Sequence, residues 1–254
     1  EMAHRRGICV MVDNTFGCGG YLFRPIEWGA NVVIHSATKW ICGHGTSLGG
    51  VVVDGGNFEW SEEKYPLLAA PAESYHGLVY KEVFGNAAFA GRVRVDGLRN
   101  FGPSASPFNS FLMLQGLETL SLRAQRCCDN TLALAQWLEG HEAIESVNYP
   151  GLKSNPYHTL ACKYLQHGFG GVLTFRVKSG FEGAAELVSK LELILHVGSV
   201  GDSKSLIVHP ASTTHSQLSE SERVAAGVYP NMLRLSVGIE NIDDLIYDLD
   251  NALK

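Results

Sequence analysis

Across 254 residues, 26 acidic side chains outnumber 20 basic ones, and the net charge of −6 has the wrong sign for a nucleic-acid or anionic-membrane partner. The length allows one or two domains with real cores. No apolar run approaches the roughly 18 residues that a bilayer crossing needs, and no signal peptide opens the chain, so a cytoplasmic location is expected.

In chain order, Ile8-Cys9-Val10-Met11-Val12 is a short apolar run that ends at Asp13, and Asn31-Val32-Val33-Ile34-His35 is a second that ends at Ser36. Runs of this kind predict buried parallel strands covered on both faces. The stretch between them, with Pro25 and then Glu27-Trp28-Gly29-Ala30, is long enough for a crossover but forms helix poorly. Gly43-His44-Gly45-Thr46-Ser47-Leu48-Gly49-Gly50 lacks the lysine of a P-loop and leads into a strand, Gly50-Val51-Val52-Val53. It predicts a flexible loop that lets backbone pass close to Lys39. Ser106-Pro107 opens a helix in the cap-then-proline manner. Apolar residues from Phe111, Leu114 and Leu117 to Leu134 and Leu138 then recur at helical spacing until Gly140, predicting one core and domain-linking helix. Further on, 172–177 reads as a strand, 183–195 as a helix and 233–237 as a strand. Ile242, Leu245, Ile246, Leu249 and Leu253 mark a closing amphipathic helix with acids in its first turn.

Chemistry concentrates at the ends of the first two runs. Ser36-Ala37-Thr38-Lys39 and Asp13 together offer one amine, one carboxylate and two hydroxyls. In open α/β sheets ligands bind beyond the carboxyl ends of strands, where both groups sit. Pyridoxal phosphate requires such a set: Lys39 can condense with its aldehyde, Asp13 can keep its pyridine nitrogen protonated, and Ser36 and Thr38 can donate to its phosphate. Taken singly, each residue also has an ordinary reading, since lysines in loops are commonly solvated and an aspartate after a strand often caps a turn. Arg234 alternates with apolar residues in Met232-Leu233-Arg234-Leu235-Ser236-Val237, so it shares a face with Ser236. A guanidinium there can grip a carboxylate with both nitrogens, or simply meet solvent. The six cysteines (Cys9, Cys18, Cys42, Cys127, Cys128, Cys162) lack C-x-x-C spacing and are expected as core or surface thiols. His209 and His215 flank a Pro-Ala-Ser-Thr-Thr loop rather than sharing a helix face, so no metal site is expected.

The strings VDNTF, YLFRPIEWGA, HSATKW and GHGTSLGGVVVDGG, followed in order by SPFNSFLMLQGLETLSLR, YPGL, KSLIVHPASTTHSQL and RLSVGIE, resemble the cysteine/methionine-metabolism family of pyridoxal-phosphate enzymes. The likeness runs the length of the chain and leans toward the O-acetylhomoserine sulfhydrylase branch. It implies an α/β fold: residues 1–92 end a type I, aspartate-aminotransferase-like pyridoxal-phosphate large domain, and residues 93–254 form a smaller α+β C-terminal domain. It makes Lys39 the Schiff-base lysine, Asp13 the pyridinium partner, Ser36 and Thr38 phosphate ligands, and Arg234 the clamp for the substrate α-carboxylate. Ser199 lies in the segment that approaches the same carboxylate. Related sulfhydrylases commonly carry Asn there while the lyase branch carries Ser, which leaves the branch open.

The implied activity is γ-replacement on O-acetyl-L-homoserine with sulfide or a related thiol, giving homocysteine. A carbon nucleophile or a γ-lyase reaction is the alternative. The implied partners are an amino-acid substrate, upstream polypeptide of the same enzyme, and further copies in a homotetramer with shared active sites. Two readings from other classes compete. A non-catalytic assembly subunit would show no cofactor absorbance, and a dinucleotide enzyme would need the G-x-G-x-x-G that this chain lacks.

Overall fold

Two sheets organise the computed structural model, which describes residues 1–254. The first has three strands, β1 (Met11–Asp13), β2 (Val32–Ser36) and β3 (Gly50–Asp54), in the order β1-β2-β3. β1 runs parallel to β2, with Asp13 opposite Ile34, and β3 runs antiparallel to β2. The expected parallel pair is therefore present, but only β2 is buried. β1 and β3 expose apolar side chains, including Met11 at 49% and Val52 at 45%. The reason is topological: β1 and β3 are both edge strands and pair with β2 alone. The crossover carries two 3-10 segments, Thr15–Gly20 and Pro25–Trp28, in place of an α-helix.

After β3 the chain is helical. Ala88–Arg92 continues through a π-helical stretch, Val93–Leu98, into Arg99–Phe101, so residue 92 lies within continuous helix. Pro107 at the first helical position fixes the start of α1 (Pro107–Glu118). Against expectation, the periodic run beyond it is two helices. Thr119, at φ −112°, breaks it, and α2 (Leu120–Gly140) follows. The two halves also differ in burial. Leu134 and Leu138 are fully enclosed, whereas Phe111, Leu114 and Leu117 are exposed at 54%, 60% and 46%.

The second sheet holds β4 (Ile144–Asn148), β5 (Val172–Val177), β6 (Leu195–His196), β7 (Leu206–Val208) and β8 (Met232–Ser236) in the order β4-β5-β8-β7-β6. Only the β6–β7 pair is parallel. Leu173 and Phe175 on β5 and Leu233 and Leu235 on β8 point to one face. There they pack against α2, α3 (Gly180–Lys190) and α4 (Ile242–Leu253), forming the main core with Leu134, Leu187, Leu245 and Leu249. α4 begins where Asn241 accepts the amide of Asp243, with Asp243 and Asp244 in its first turn. All six cysteines are free thiols. No helix is long and apolar enough to cross a membrane.

The helix expected at 183–195 occupies Gly180–Lys190, and its early stop has a specific cause. Buried Asp248 on α4 accepts the amides of Glu192, Leu193 and Ile194 at 2.9, 3.1 and 2.9 Å, which fixes the chain in a non-helical bend. Asp248→Ala leaves these donors without their partner and should lower stability to urea by roughly 2–4 kcal/mol, with Asp248→Asn losing less. An unchanged denaturation midpoint for Asp248→Ala would refute this.

Candidate active site

The carboxyl ends of β1 and β2 are stitched together by Thr15. Asp13 Oδ1 accepts both the Thr15 amide at 2.9 Å and the Thr15 hydroxyl at 2.7 Å. The same hydroxyl oxygen accepts the Ser36 amide at 2.9 Å. The two Thr15 hydrogen bonds, with a smaller contribution from His35, hold the Asp13 carboxyl below the usual carboxylate range despite a small opposing effect of burial. Asp13 Oδ2 has no protein partner. The site thus presents an ionised carboxylate with one oxygen to spare.

Beyond Ser36 the chain turns tightly. Lys39 N donates to Ser36 O at 3.3 Å, Cys42 N to Ala37 O at 2.9 Å and Gly43 N to Lys39 O at 2.7 Å. Gly43 adopts φ +74°, and the glycine-rich loop returns to lie against the turn, as expected of close backbone passage. Thr38 is tied to it: Gly49 N donates to Thr38 Oγ1 at 3.1 Å, and that hydroxyl donates to Gly49 O at 3.3 Å. The Ser36 hydroxyl has no partner. Half-buried Lys39 donates from Nζ to Ser199 Oγ at 2.8 Å, a contact between residues 160 apart in the chain.

Ser199 belongs to a loop anchored on the second sheet, where the buried hydroxyl of Ser236 accepts the Gly201 amide at 3.0 Å. Ser236 and Arg234 do share a face of β8, which is half-buried at Met232 and Arg234 and closed at Ser236, 1% exposed. Arg234 is half-buried with no hydrogen bond or ion pair to the protein, and burial pulls its pKa below the ordinary guanidinium value. It borders a cleft of about 410 Å³ together with Thr174, His215 and Met232. Arg176 in the same cleft is already engaged, pairing with Glu145 at 2.8 Å and lying over the Tyr229 ring. Arg234 is therefore the guanidinium left free to meet an anion.

The structure brings Lys39 to Ser199, and Asp13 to Ser36 through Thr15. Arg234 and the Ser199 loop are connected through β8. His209 is not available as a ligand, since its ring nitrogens are hydrogen-bonded to Ser212 Oγ and Pro230 O at 2.9 and 2.7 Å. Thr15 was not singled out from the sequence, although an Asp-x-Thr spacing after a strand is the signature of a side-chain-stabilised turn.

An amine, a spare carboxylate oxygen and the free Ser36 hydroxyl beyond the ends of β1 and β2, with an unpaired guanidinium on β8, form a set suited to an anionic aldehyde cofactor. A model of the Cys/Met metabolism PLP-dependent enzymes matches residues 1–254, and the chain belongs to that family. It is 52% identical over 253 residues to O-acetyl-L-homoserine sulfhydrylase 1 of Thermus thermophilus, which covers all of this chain and 60% of that protein. It is 50% identical over 256 residues to homocysteine synthase of Schizosaccharomyces pombe, with the same coverage. A crystal structure described as an O-acetylhomoserine (thiol)-lyase of Campylobacter jejuni, carrying a pyridoxyl-lysine phosphate, superposes with a TM-score of 0.94 at 41% identity. The match covers 99% of this chain and 60% of that one. The chain thus spans about 60% of the length of these relatives.

The residues present fit pyridoxal phosphate. Asp13 stays ionised with Oδ2 free for a protonated ring nitrogen, Lys39 has its amine held by a single hydroxyl, and Ser36 can donate to phosphate. Thr15→Val removes the hydroxyl bond that most depresses the Asp13 pKa while keeping side-chain volume. Its carboxyl should then take up a proton at higher pH than in the parent, by NMR titration. A titration that does not move would contradict the assignment of cause.

Proposed function

We propose that this chain supplies the lysine, the ring-nitrogen acid and the carboxylate clamp of an enzyme that performs γ-replacement on O-acetyl-L-homoserine. Sulfide is the nucleophile and homocysteine the product. The observation that carries the reading is the Lys39–Ser199 contact, which sets a strand-end lysine against a loop of the sheet that bears Arg234. The names of the sulfhydrylase and homocysteine-synthase relatives support the substrate and nucleophile.

In this reading residues 1–92 belong to a pyridoxal-phosphate large domain and residues 93–254 to a smaller α+β domain, with the helix through residue 92 crossing between them. The enzyme works in the cytoplasm as a homotetramer that includes further polypeptide of its own. The exposed apolar surfaces of β1 and β3 support such covering.

Pyridoxal phosphate, when bound, supplies an electron-withdrawing ring that delocalises the charge left at Cα on proton loss. Asp13 keeps the ring nitrogen protonated, which an unpaired neutral residue would not do. Ser36 would donate to the phosphate, and Thr38 would join it by turning its hydroxyl away from Gly49 O. Arg234 grips the substrate α-carboxylate with two nitrogens. Lys39 would bond to the cofactor aldehyde in the resting enzyme and, as a free amine, would take the Cα proton and move protons at Cβ. Acetate leaves from Cγ, and the nucleophile adds there. Ser199 accepts from Lys39 Nζ and aims it.

In the full-length enzyme, Lys39→Ala should lower kcat by about 1,000-fold or more, because anchoring and proton transfer are lost together. Near-normal turnover would remove the assignment. Arg234→Lys should raise KM for the amino acid by about tenfold with the cofactor retained, since an ammonium cannot reproduce the planar fork. Cofactor loss with KM unchanged would show that Arg234 serves the phosphate instead. The assay itself decides the branch. Homocysteine from O-acetylhomoserine and sulfide supports the proposal, whereas keto acid and ammonia released without any added nucleophile would identify a γ-lyase.

A further inference from the structure

The Lys39–Ser199 contact joins segments with no covalent reason to stay in register, and one side chain lies under both. Trp40, next to Lys39, is 2% exposed. Its indole presses on Gly201, two residues from Ser199, where a Cβ would lie 2.8 Å from the ring and φ is +70°. The chain also crosses directly from Ser203 N to Gly43 O at 2.8 Å. The Trp40 carbonyl is clamped in turn. Both terminal nitrogens of Arg123 donate to it at 3.1 Å, while Nη2 also donates to Gly116 O at 2.6 Å and Nε to Thr119 Oγ1 at 3.2 Å.

Arg123 is 6% exposed, and none of its hydrogen-bond partners is a carboxylate. Burying a cation against neutral oxygens is costly, so such an arrangement calls for a reason. The surroundings are shaped to it. The helix break at Thr119 turns that hydroxyl toward the guanidinium. A Cβ at Gly43 would sit 2.1 Å from Nη1, and one at Gly116 would sit 2.3 Å from the carbonyls of Ile41 and Cys42. The segment that follows Lys39 is thus held by a rigid fork on one side and by the Gly201 loop on the other.

We propose that Arg123 is a positioning residue that, through the Trp40 carbonyl and indole, sets the separation of Lys39 Nζ from Ser199 Oγ. It touches neither substrate nor cofactor. The inference rests on the reading of Lys39 as the cofactor-bearing lysine, and the two fail differently: Lys39→Ala loses the absorbance of the lysine-bound cofactor, whereas an Arg123 variant keeps the band and changes its titration.

The experiment compares the full-length, cofactor-loaded enzyme with Arg123→Met, Arg123→Lys and Gly201→Ala. The absorbance of the lysine-bound cofactor is followed against pH, alongside kcat, KM and thermal melting. Arg123→Met should retain the band, move its midpoint by about half a pH unit or more, and lower kcat by about 10- to 100-fold, as displacement of a reacting group by an ångström does. KM for the amino acid should change less than about threefold. Arg123→Lys should recover only part of kcat, because an ammonium cannot hold one carbonyl with two fixed nitrogens. Gly201→Ala leaves the guanidinium intact but pushes the Ser199 loop off the indole, and should shift the same midpoint. Unchanged midpoint and kcat with a lowered melting temperature would reduce Arg123 to a structural cation and overturn the proposal, as would a rise in KM alone. Should Arg123→Met not accumulate as folded protein, Arg123→Lys and Gly201→Ala decide by the same readings.

Discussion

A lysine in the turn beyond one sheet must meet a serine held by another, 160 residues further along the chain, to within a hydrogen bond. Lys39 has a long flexible stem, so the pairing depends on what fixes the two backbones. That fixing is done by backbone and glycine contacts: Gly201 on the Trp40 indole, Ser203 N on Gly43 O, and Gly201 N on Ser236 Oγ. A Cβ at Gly201 would run into the Trp40 ring, and one at Gly43 into the Arg123 guanidinium. The smaller core of Cys18, Leu22, Trp40, Ala124, Cys127 and Cys128 is the packing that stands behind them.

Electrostatics at the site is set by short-range hydrogen bonds more than by net charge. Asp13 is exposed, and the Thr15 hydrogen bonds to one oxygen lower its pKa further while leaving the other oxygen open. Arg234 reaches a similar readiness by the opposite route, partial burial with no partner, beside an Arg176 whose charge is already answered by Glu145. A free carboxylate oxygen and a free guanidinium are the two features that the proposed function asks of Asp13 and Arg234.

Much of this was legible in the sequence because it rests on local pattern. The alternation at 232–237, the apolar period at 242–253 and the apolar runs ending at Asp13 and Ser36 map onto β8, α4 and the β1–β2 pair. The family likeness extends the reading to Lys39, Asp13 and Arg234. What local pattern could not carry was tertiary. Burial of β1 depends on neighbours across the sheet, and nothing in Ile8 to Val12 distinguishes an edge strand from a central one. The helix at 183–195 stops early because of a carboxylate far along the chain, at Asp248. The unbroken period from Phe111 to Leu138 hides a break whose purpose is seen only once Arg123 occupies it.

The buried indole of Trp40 has a further property. Its Nε1–H is enclosed and donates to nothing, so the ring sees neither water nor a fixed acceptor. An indole in such surroundings, like that of buried Trp60, is expected to emit at shorter wavelength than the half-exposed Trp28. The residue at the junction of the two sheets is therefore also an intrinsic lamp for it. With Trp60 replaced by Phe, any loosening of the seam that admits solvent around Trp40 would show as a red shift in fluorescence, with no label attached.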